Sequence, residues 1–335
     1  MKMLSEALIC FMAVCFCGVP VWAQQSNGKT DIAVPKGYRP PTMKRSARLQ
    51  AILDAAVSET LTAFAAKGLK INEVAATLID LRDPAHLMTA EIRGNDRIYP
   101  ASVVKMFYMA ALERQIEDGK RTMSVELERG LRDMIVVSSN EATQYILDVV
   151  TDTSSGAERP EKDFVAWQNK RNAVNRYFAA MGYTNINANQ KTFCEDAYGV
   201  EQQSRNYKGE NRNMLTTDAT ARLMAEIVLG RIVGSDGTKK MMDLMKRDPF
   251  AATADPDDQA HAFSGMALVE RKLTDVKLWS KAGETSKTRH DAAYFETPGG
   301  QKFVLVVFTE NHATDKQPVP MIVGKVLDKM MELKK

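Results

Sequence analysis

The chain has 335 residues, of which 44% are hydrophobic and 26% are charged, and its formal net charge is +3. This composition is typical of a globular protein and excludes a largely disordered or membrane-spanning chain. So small a net charge also argues against a nucleic-acid-binding protein, which needs a basic face.

The first 23 residues predict a secretory signal peptide. Lys2 precedes an apolar run from 7 to 19, and small residues then lead to Ala23, which is the pattern that signal peptidase recognises. We therefore expect a periplasmic or secreted protein. Residues 24–44 are polar and proline-rich and predict a flexible lead-in, so one domain would occupy residues 45–335.

Four cysteines are present, and three of them lie inside the predicted signal peptide. Only Cys194 would remain in the mature chain, and a lone thiol forms no internal disulfide. The four histidines show no metal-ligand spacing, and no phosphate-binding glycine loop occurs. We expect chemistry without a metal or another cofactor.

The domain begins with one helix and two strands. Apolar residues recur at helical spacing from 49 to 64. Two β-prone segments, 74–80 and 87–92, flank a turn at residues 82–85 and predict a hairpin.

A serine follows the hairpin at the start of an apolar helix. Ser102 and Lys105 are three residues apart, so their side chains share one helix face. A serine hydroxyl needs a neighbouring base to become a nucleophile. Lysine serves as that base when burial or a second cation lowers its pKa from about 10.4.

Helical patterns continue through residues 125–135, 141–150 and 164–181. The turn between the first two contains Ser138 and Asn140, an S-x-N arrangement. The next segment, 182–215, is long, polar and aperiodic, which predicts a functional or flexible loop.

The C-terminal part predicts three strands, 277–283, 289–296 and 302–309, and a closing helix near 322–331. Together with the hairpin they give an antiparallel five-stranded sheet with a helical insert at about 113–265. The fold class expected is α+β. The first of these strands contains the sequence Lys281-Ala282-Gly283.

S-x-x-K, S-x-N and a K-T-G-like triplet occur here in the order of a known signature. From about residue 47 to the end, the chain resembles the serine β-lactamases and penicillin-recognising DD-peptidases, and class A most closely. The resemblance implies a β-lactamase/transpeptidase-like fold and a β-lactam or cell-wall peptide as the small-molecule substrate. We expect a monomer that spans no membrane.

The resemblance also implies a role for each motif residue. Ser102 would be the acylated nucleophile, Lys105 its base and Ser138 the proton relay to the leaving nitrogen. Asn140 and Lys281 would contact the substrate. The residue at 139 is usually an aspartate in the family and is serine here.

The end of the third motif departs from the family. Gly283 would let the strand approach the nucleophile, and the backbone N–H of Glu284 would join that of Ser102 in an oxyanion hole. Ala282 lacks the usual hydroxyl that binds the substrate carboxylate. Arg289 is either a replacement carboxylate-binding residue or an exposed charge.

Deacylation in class A requires a glutamate that activates water, but the usual E-P-x-x-N pattern is absent. Spacing from Asp218 favours Glu201, with Glu195 and Glu210 as alternatives. This departure leaves two rivals to a β-lactamase: a cell-wall DD-peptidase that β-lactams acylate, and a non-catalytic binding or sensor module.

Overall fold

The computed structural model describes residues 31–193 and 196–333. The predicted signal peptide, Cys194 and Glu195 lie outside the described residues. Within the described part of the chain, no helix is long and apolar enough to cross a membrane.

The described chain is an α+β fold built on one sheet of seven strands in the order β1-β3-β2-β7-β6-β5-β4. Every neighbouring pair is antiparallel except β1 and β3, which are parallel. The strands are β1 (Met43–Arg45), β2 (Val74–Asp80), β3 (Leu87–Ile92), β4 (Lys246–Arg247), β5 (Lys277–Glu284), β6 (Thr288–Glu296) and β7 (Lys302–Glu310).

The five strands expected from the sequence form the centre of the sheet, and two further strands extend its edges. These edge strands, β1 and β4, have three and two residues. Segments this short show no alternation of polar and apolar residues, so the sequence does not indicate them. The expectation of five strands is corrected to seven.

The helices described are α1 (Ala47–Ala63), α2 (Lys105–Glu117), α3 (Val125–Val136), α4 (Asn140–Thr151), α5 (Glu161–Arg171), α6 (Ala173–Ala180), α7 (Gly199–Arg205), α8 (Thr217–Val228), α9 (Ser235–Met245), α10 (Phe263–Glu270) and α11 (Pro318–Met331). The single helix predicted over 164–181 is two helices, α5 and α6, that meet at Asn172.

The sheet separates two hydrophobic cores. Alternate residues of β2 point to opposite faces: Ala76 and Leu78 pack with α1, α10 and α11, whereas Ala75 and Ile79 pack with α2 and the helical insert. Burial on both faces explains why all seven residues of β2 are buried. The three sequence motifs lie where the insert meets the sheet.

Part of the predicted lead-in packs on the domain. Among the described residues of this segment, Ile32 is buried and the Tyr38 hydroxyl donates a hydrogen bond of 2.5 Å to Glu226. Met43–Arg45 forms β1. The described residues 31–44 are therefore attached to the insert and to the sheet edge.

Segment 182–215 is held by polar side chains. The Asn213 side chain accepts hydrogen bonds from the backbone N–H groups of Asn189 and Gln190 and donates to the carbonyl of Gln190. The Tyr108 hydroxyl also donates to that carbonyl, at 2.7 Å. Polar amide contacts hold this segment, so its sequence lacks the regular spacing of apolar residues from which structure is predicted.

His290, on β6, connects the sheet to the chain that precedes Ser102. Its Nδ1 accepts a hydrogen bond from the Thr309 backbone N–H, so Nε2 carries the proton and donates to the Tyr99 carbonyl at 3.0 Å. Complete burial lowers the pKa of His290 from 6.5 to about 4. The neutral imidazole is therefore the form that fits the fold.

We predict that His290 lowers the free energy of unfolding as the pH falls. The folded-state pKa is depressed, so its contribution is complete above pH 6.5 and is lost as pH falls toward 4. The loss is about 3 kcal/mol in the free energy of unfolding. Urea titrations from pH 7 to pH 4 should show a shallower pH dependence for His290→Gln.

Equal slopes for wild type and His290→Gln would contradict the prediction.

Candidate active site

Ser102 lies in a tight turn at the mouth of a cavity of about 620 Å³. The turn is a 3-10 helix, Ala101–Val104, that leads directly into α2. Ala101 has a φ of +47°, a left-handed conformation that is costly for a residue with a Cβ. The buried neighbours Val103 and Val104 fix this turn in the core, leaving Ser102 partly exposed to the cavity.

The cavity lies between the turn of Ser102, the loop after α3, strand β5 and the segment that joins β4 to α10. Its lining residues are Ser102, Val136, Val137, Ser138, Asn140, Lys246, Arg247, Asp248, Asp255, Asp257, Asp258, Gln259, Ala260, Phe263, Ala282, Gly283 and Glu284.

Lys105, one turn after Ser102, is fully buried. Its Nζ donates to the Ser138 carbonyl at 2.5 Å, to the Ser138 Oγ at 3.1 Å and to the Asn140 Oδ1 at 2.9 Å. The structure therefore brings the first and second motifs together.

Lys281 reaches the same hydroxyl from β5. Its Nζ donates to the Ser138 Oγ at 2.9 Å, to the Gln259 Oε1 at 2.5 Å and to the Ala282 carbonyl at 2.7 Å. Burial, followed by the charges of Lys105 and Arg247, holds the pKa of Lys281 well below its ordinary value. The two amino groups contact the same hydroxyl, so the state in which both carry a positive charge is disfavoured.

The loop that carries Ser138 has a special backbone. Ser138 has a φ of +60°, which directs its side chain between the two lysines. Ser139 is the N-cap of α4, and its hydroxyl accepts from the Ala142 N–H at 3.0 Å. A serine is therefore sufficient for the cap at this position, and Asn140 begins the helix.

Gly283 permits close contact between β5 and the turn of Ser102. A Cβ at this position would lie 2.8 Å from the Ser102 nitrogen and 2.8 Å from the Pro100 carbonyl oxygen. Such distances are too short for any larger residue. The backbone N–H of Ser102 and the end of β5 thus lie beside each other, as an oxyanion hole requires.

Arg289 is buried behind the cavity wall and is paired with Glu284. Its Nη1 donates to the Glu284 Oε2 at 2.6 Å, and its guanidinium lies 4.0 Å from the centre of the Phe263 ring. Its Nε and Nη2 make no hydrogen bond. The alternative of an exposed charge is excluded by this burial, but the carboxylate that Arg289 holds belongs to the protein.

Glu201 is buried in an ion-pair network of the insert and does not line the cavity. Arg171 donates to both carboxylate oxygens, at 2.8 and 2.9 Å, and Ser155 donates at 2.9 Å. Lys191 lies at 3.4 Å. Burial raises the pKa of this carboxyl, but the Arg171 and Lys191 cations outweigh burial and bring it below its ordinary value.

These contacts indicate a structural role for Glu201, in place of the water activation that its position in the sequence suggests. Glu210 is exposed and lies 3.7 Å from Arg212. Neither glutamate lines the cavity.

Gln259 is the site residue that the sequence does not reveal. It lines the cavity and contacts Lys281 and the loop before Ser138. A single glutamine in an irregular loop belongs to no motif, and only its place near the third motif in space identifies it. Among the described residues, no group of three or more His, Cys, Asp or Glu side chains has the geometry to hold a metal ion.

Comparisons with known proteins identify the family and agree with the fold. The β-lactamase enzyme family matches residues 56–327, so the chain belongs to that family and is a β-lactamase-like hydrolase. No curated protein matches the sequence.

Several solved structures share the fold. The β-lactamase from Sphaerobacter thermophilus DSM 20745 is 20% identical with a TM-score of 0.59, and the match covers 84% of this chain and 99% of that one. PBP-A is 16% identical with a TM-score of 0.59, over 88% and 100% of the two chains. The TLA-1 extended-spectrum β-lactamase is 14% identical with a TM-score of 0.59, over 84% and 99%.

We predict that Gly283→Ala slows the reaction of Ser102 with a covalent active-site probe. The added Cβ pushes β5 away from the Ser102 nitrogen, and loss of one oxyanion donor reduces turnover about 100-fold or more. The rate of adduct formation, followed by intact mass spectrometry, measures the effect. Gly156→Ala is the matched control, because a Cβ there meets no atom within 4 Å; equal rates for both variants would contradict the prediction.

Proposed function

We propose that the protein is an exported, monomeric serine hydrolase of class A type that opens the β-lactam amide through an acyl-enzyme on Ser102. The observation that carries the proposal is the Ser138 hydroxyl, which lies within 3.1 Å of the Lys105 Nζ and 2.9 Å of the Lys281 Nζ. Ser102 opens onto the same cavity. These positions support Ser102 as the nucleophile, Lys105 as its base and Ser138 as the proton relay.

In the proposed acylation, Lys105 accepts the proton of the Ser102 hydroxyl as Oγ attacks the carbonyl carbon. The backbone N–H groups of Ser102 and Glu284 stabilise the negative charge on the carbonyl oxygen. The amide C–N bond then breaks, and the nitrogen takes a proton from Ser138, which regains one from a neighbouring ammonium. Asn140 orients the substrate amide.

Hydrolysis of the resulting ester requires an activated water. Glu201 and Glu210 are both engaged away from the cavity. A neutral Lys105 amine remains as a base for this step, acting on a water that enters the cavity after the leaving group departs.

The test of the proposal is the reaction of purified protein with a chromogenic cephalosporin. We predict hydrolysis by wild type and none by Ser102→Ala, because the proposed acyl-enzyme forms on the Ser102 hydroxyl. Lys105→Met should reduce the rate at least 100-fold. No hydrolysis by wild type, or equal hydrolysis by Ser102→Ala, contradicts the proposal.

A second candidate is a DD-peptidase-like enzyme that β-lactams acylate and leave blocked. The burial of Glu201 against Arg171 favours it, because this removes the acid expected to activate water. Intact mass after exposure to benzylpenicillin separates the two candidates. Rapid return to the native mass supports the β-lactamase, and a persistent adduct on Ser102 supports the peptidase. Absence of any adduct leaves a non-catalytic module of the same fold.

The Glu284–Arg289 pair generates a prediction about substrate charge. Glu284→Gln removes a negative charge from the cavity wall and frees the Arg289 Nη1. We expect the second-order rate constant for acylation by a carboxylate-bearing β-lactam to rise about 1.5- to 5-fold, the range of a half-exposed ion pair. The methyl ester of the same β-lactam is the control and should react at an unchanged rate. An equal change for acid and ester would contradict the prediction.

A further inference from the structure

The side chain of Gln259 is fixed in one orientation by four hydrogen bonds. Its Oε1 accepts from the Lys281 Nζ at 2.5 Å and from the Ala282 N–H at 3.2 Å. Its Nε2 donates to the carbonyls of Ile135 at 3.1 Å and Val136 at 2.8 Å. A flipped amide would place NH₂ against an ammonium and oxygen against two carbonyls, so the contacts determine the orientation.

These contacts use up the hydrogen-bonding capacity of the Lys281 ammonium. An ammonium has three N–H donors, and Lys281 has three acceptors: Ser138 Oγ, Gln259 Oε1 and the Ala282 carbonyl. The ammonium therefore has a set rotation about its Cε–Nζ bond. Loss of the Gln259 acceptor would leave one buried N–H of Lys281 without a hydrogen bond, and the ammonium could then rotate about the Cε–Nζ bond.

The other end of Gln259 acts on the loop that carries Ser138. Ile135 and Val136 lie in the last turn of α3, where backbone carbonyls lack partners within the helix. Gln259 satisfies two of these carbonyls just before the left-handed Ser138. One side chain thus links β5, the Ser138 loop and the cavity wall.

We propose that Gln259 is a positioning residue for Ser102 chemistry, fixing the Lys281 ammonium against the Ser138 hydroxyl and holding the Ser138 loop at a set distance from β5. The inference deepens the proposed function and rests on it for its kinetic consequence. The contact between Gln259 and Lys281 itself can be tested without turnover.

The experiment compares wild type with Gln259→Glu and Gln259→Met. The titration midpoint of the Lys281 ammonium is measured by NMR on protein labelled with ¹⁵N-lysine, with its signal assigned from Lys281→Arg. In parallel, the rate of acylation by benzylpenicillin is measured by intact mass from pH 5 to pH 10. Thermal melting establishes that each variant is folded.

We expect opposite shifts in the two variants. A carboxylate at 259 favours the ammonium and moves the Lys281 midpoint up by about one pH unit or more, whereas methionine removes an acceptor from the ammonium and moves it down. The limb of the acylation profile that Lys281 controls should move in the same directions. Gln259→Met should also slow acylation at least 10-fold, because Ser138 loses its fixed donor.

Gln203→Met is the matched control. Gln203 also bridges a loop with both ends of its amide, accepting from the Arg159 N–H and donating to the Arg159 carbonyl, but it does not line the cavity. This variant should leave the Lys281 midpoint and the acylation profile unchanged.

Three results would overturn the inference: an unmoved Lys281 midpoint in both variants, a shift in the same direction in both, or an equal effect of Gln203→Met. If wild type forms no adduct with benzylpenicillin, the proposed function fails, and the NMR titration still decides whether Gln259 sets the state of Lys281.

Discussion

The Ser138 hydroxyl lies between the buried amino groups of Lys105 and Lys281, and the rest of the site depends on this contact. Burial of two amino groups in one place is costly unless each finds hydrogen-bond partners. The protein supplies them from separate parts of the chain: the Ser138 carbonyl and Asn140 for Lys105, and Gln259 and the Ala282 carbonyl for Lys281. The insert and the sheet must therefore meet in one register, which the two hydrophobic cores maintain.

The sequence predicts those parts of the fold in which burial alternates with the period of the element. The hairpin 74–80 and 87–92 has the predicted bounds, and the three C-terminal strands differ from prediction by one residue at an end. Prediction fails where polar contacts replace apolar ones. Segment 182–215 contains α7, which the Arg171–Glu201 pair anchors, and the Asn213 amide holds the chain before it at Asn189. Neither contact gives a periodic pattern in the sequence.

The site divides in the same way. Motif order identifies Ser102, Lys105, Ser138 and Lys281 as candidates because their chemistry requires those residue types. The structure places both lysines within hydrogen-bonding distance of the Ser138 hydroxyl. The sequence does not indicate Gln259, because this residue belongs to no motif and is identified only by its contacts in space. The opposite error concerns Glu201: spacing from Asp218 selects it, but spacing does not reveal that Arg171 and Lys191 surround it.

The motif residues and Glu201 lie in different parts of the fold, and this difference bears on the proposed chemistry. The residues proposed for acylation lie on the turn of Ser102, α2, the loop between α3 and α4, and β5. Residues of these helices and of this strand belong to the two cores, which fix the relative positions of the site residues. The carboxylate that sequence spacing selects for water activation, Glu201, lies instead in the polar segment 182–215, where it belongs to an ion-pair network. Glu201 could assist at Ser102 only by leaving the Arg171 cation unpaired, and an unpaired buried charge costs several kcal/mol. The proposed mechanism therefore uses the buried Lys105 amine in both formation and hydrolysis of the acyl-enzyme, so the two steps share one base and a change at Lys105 affects both.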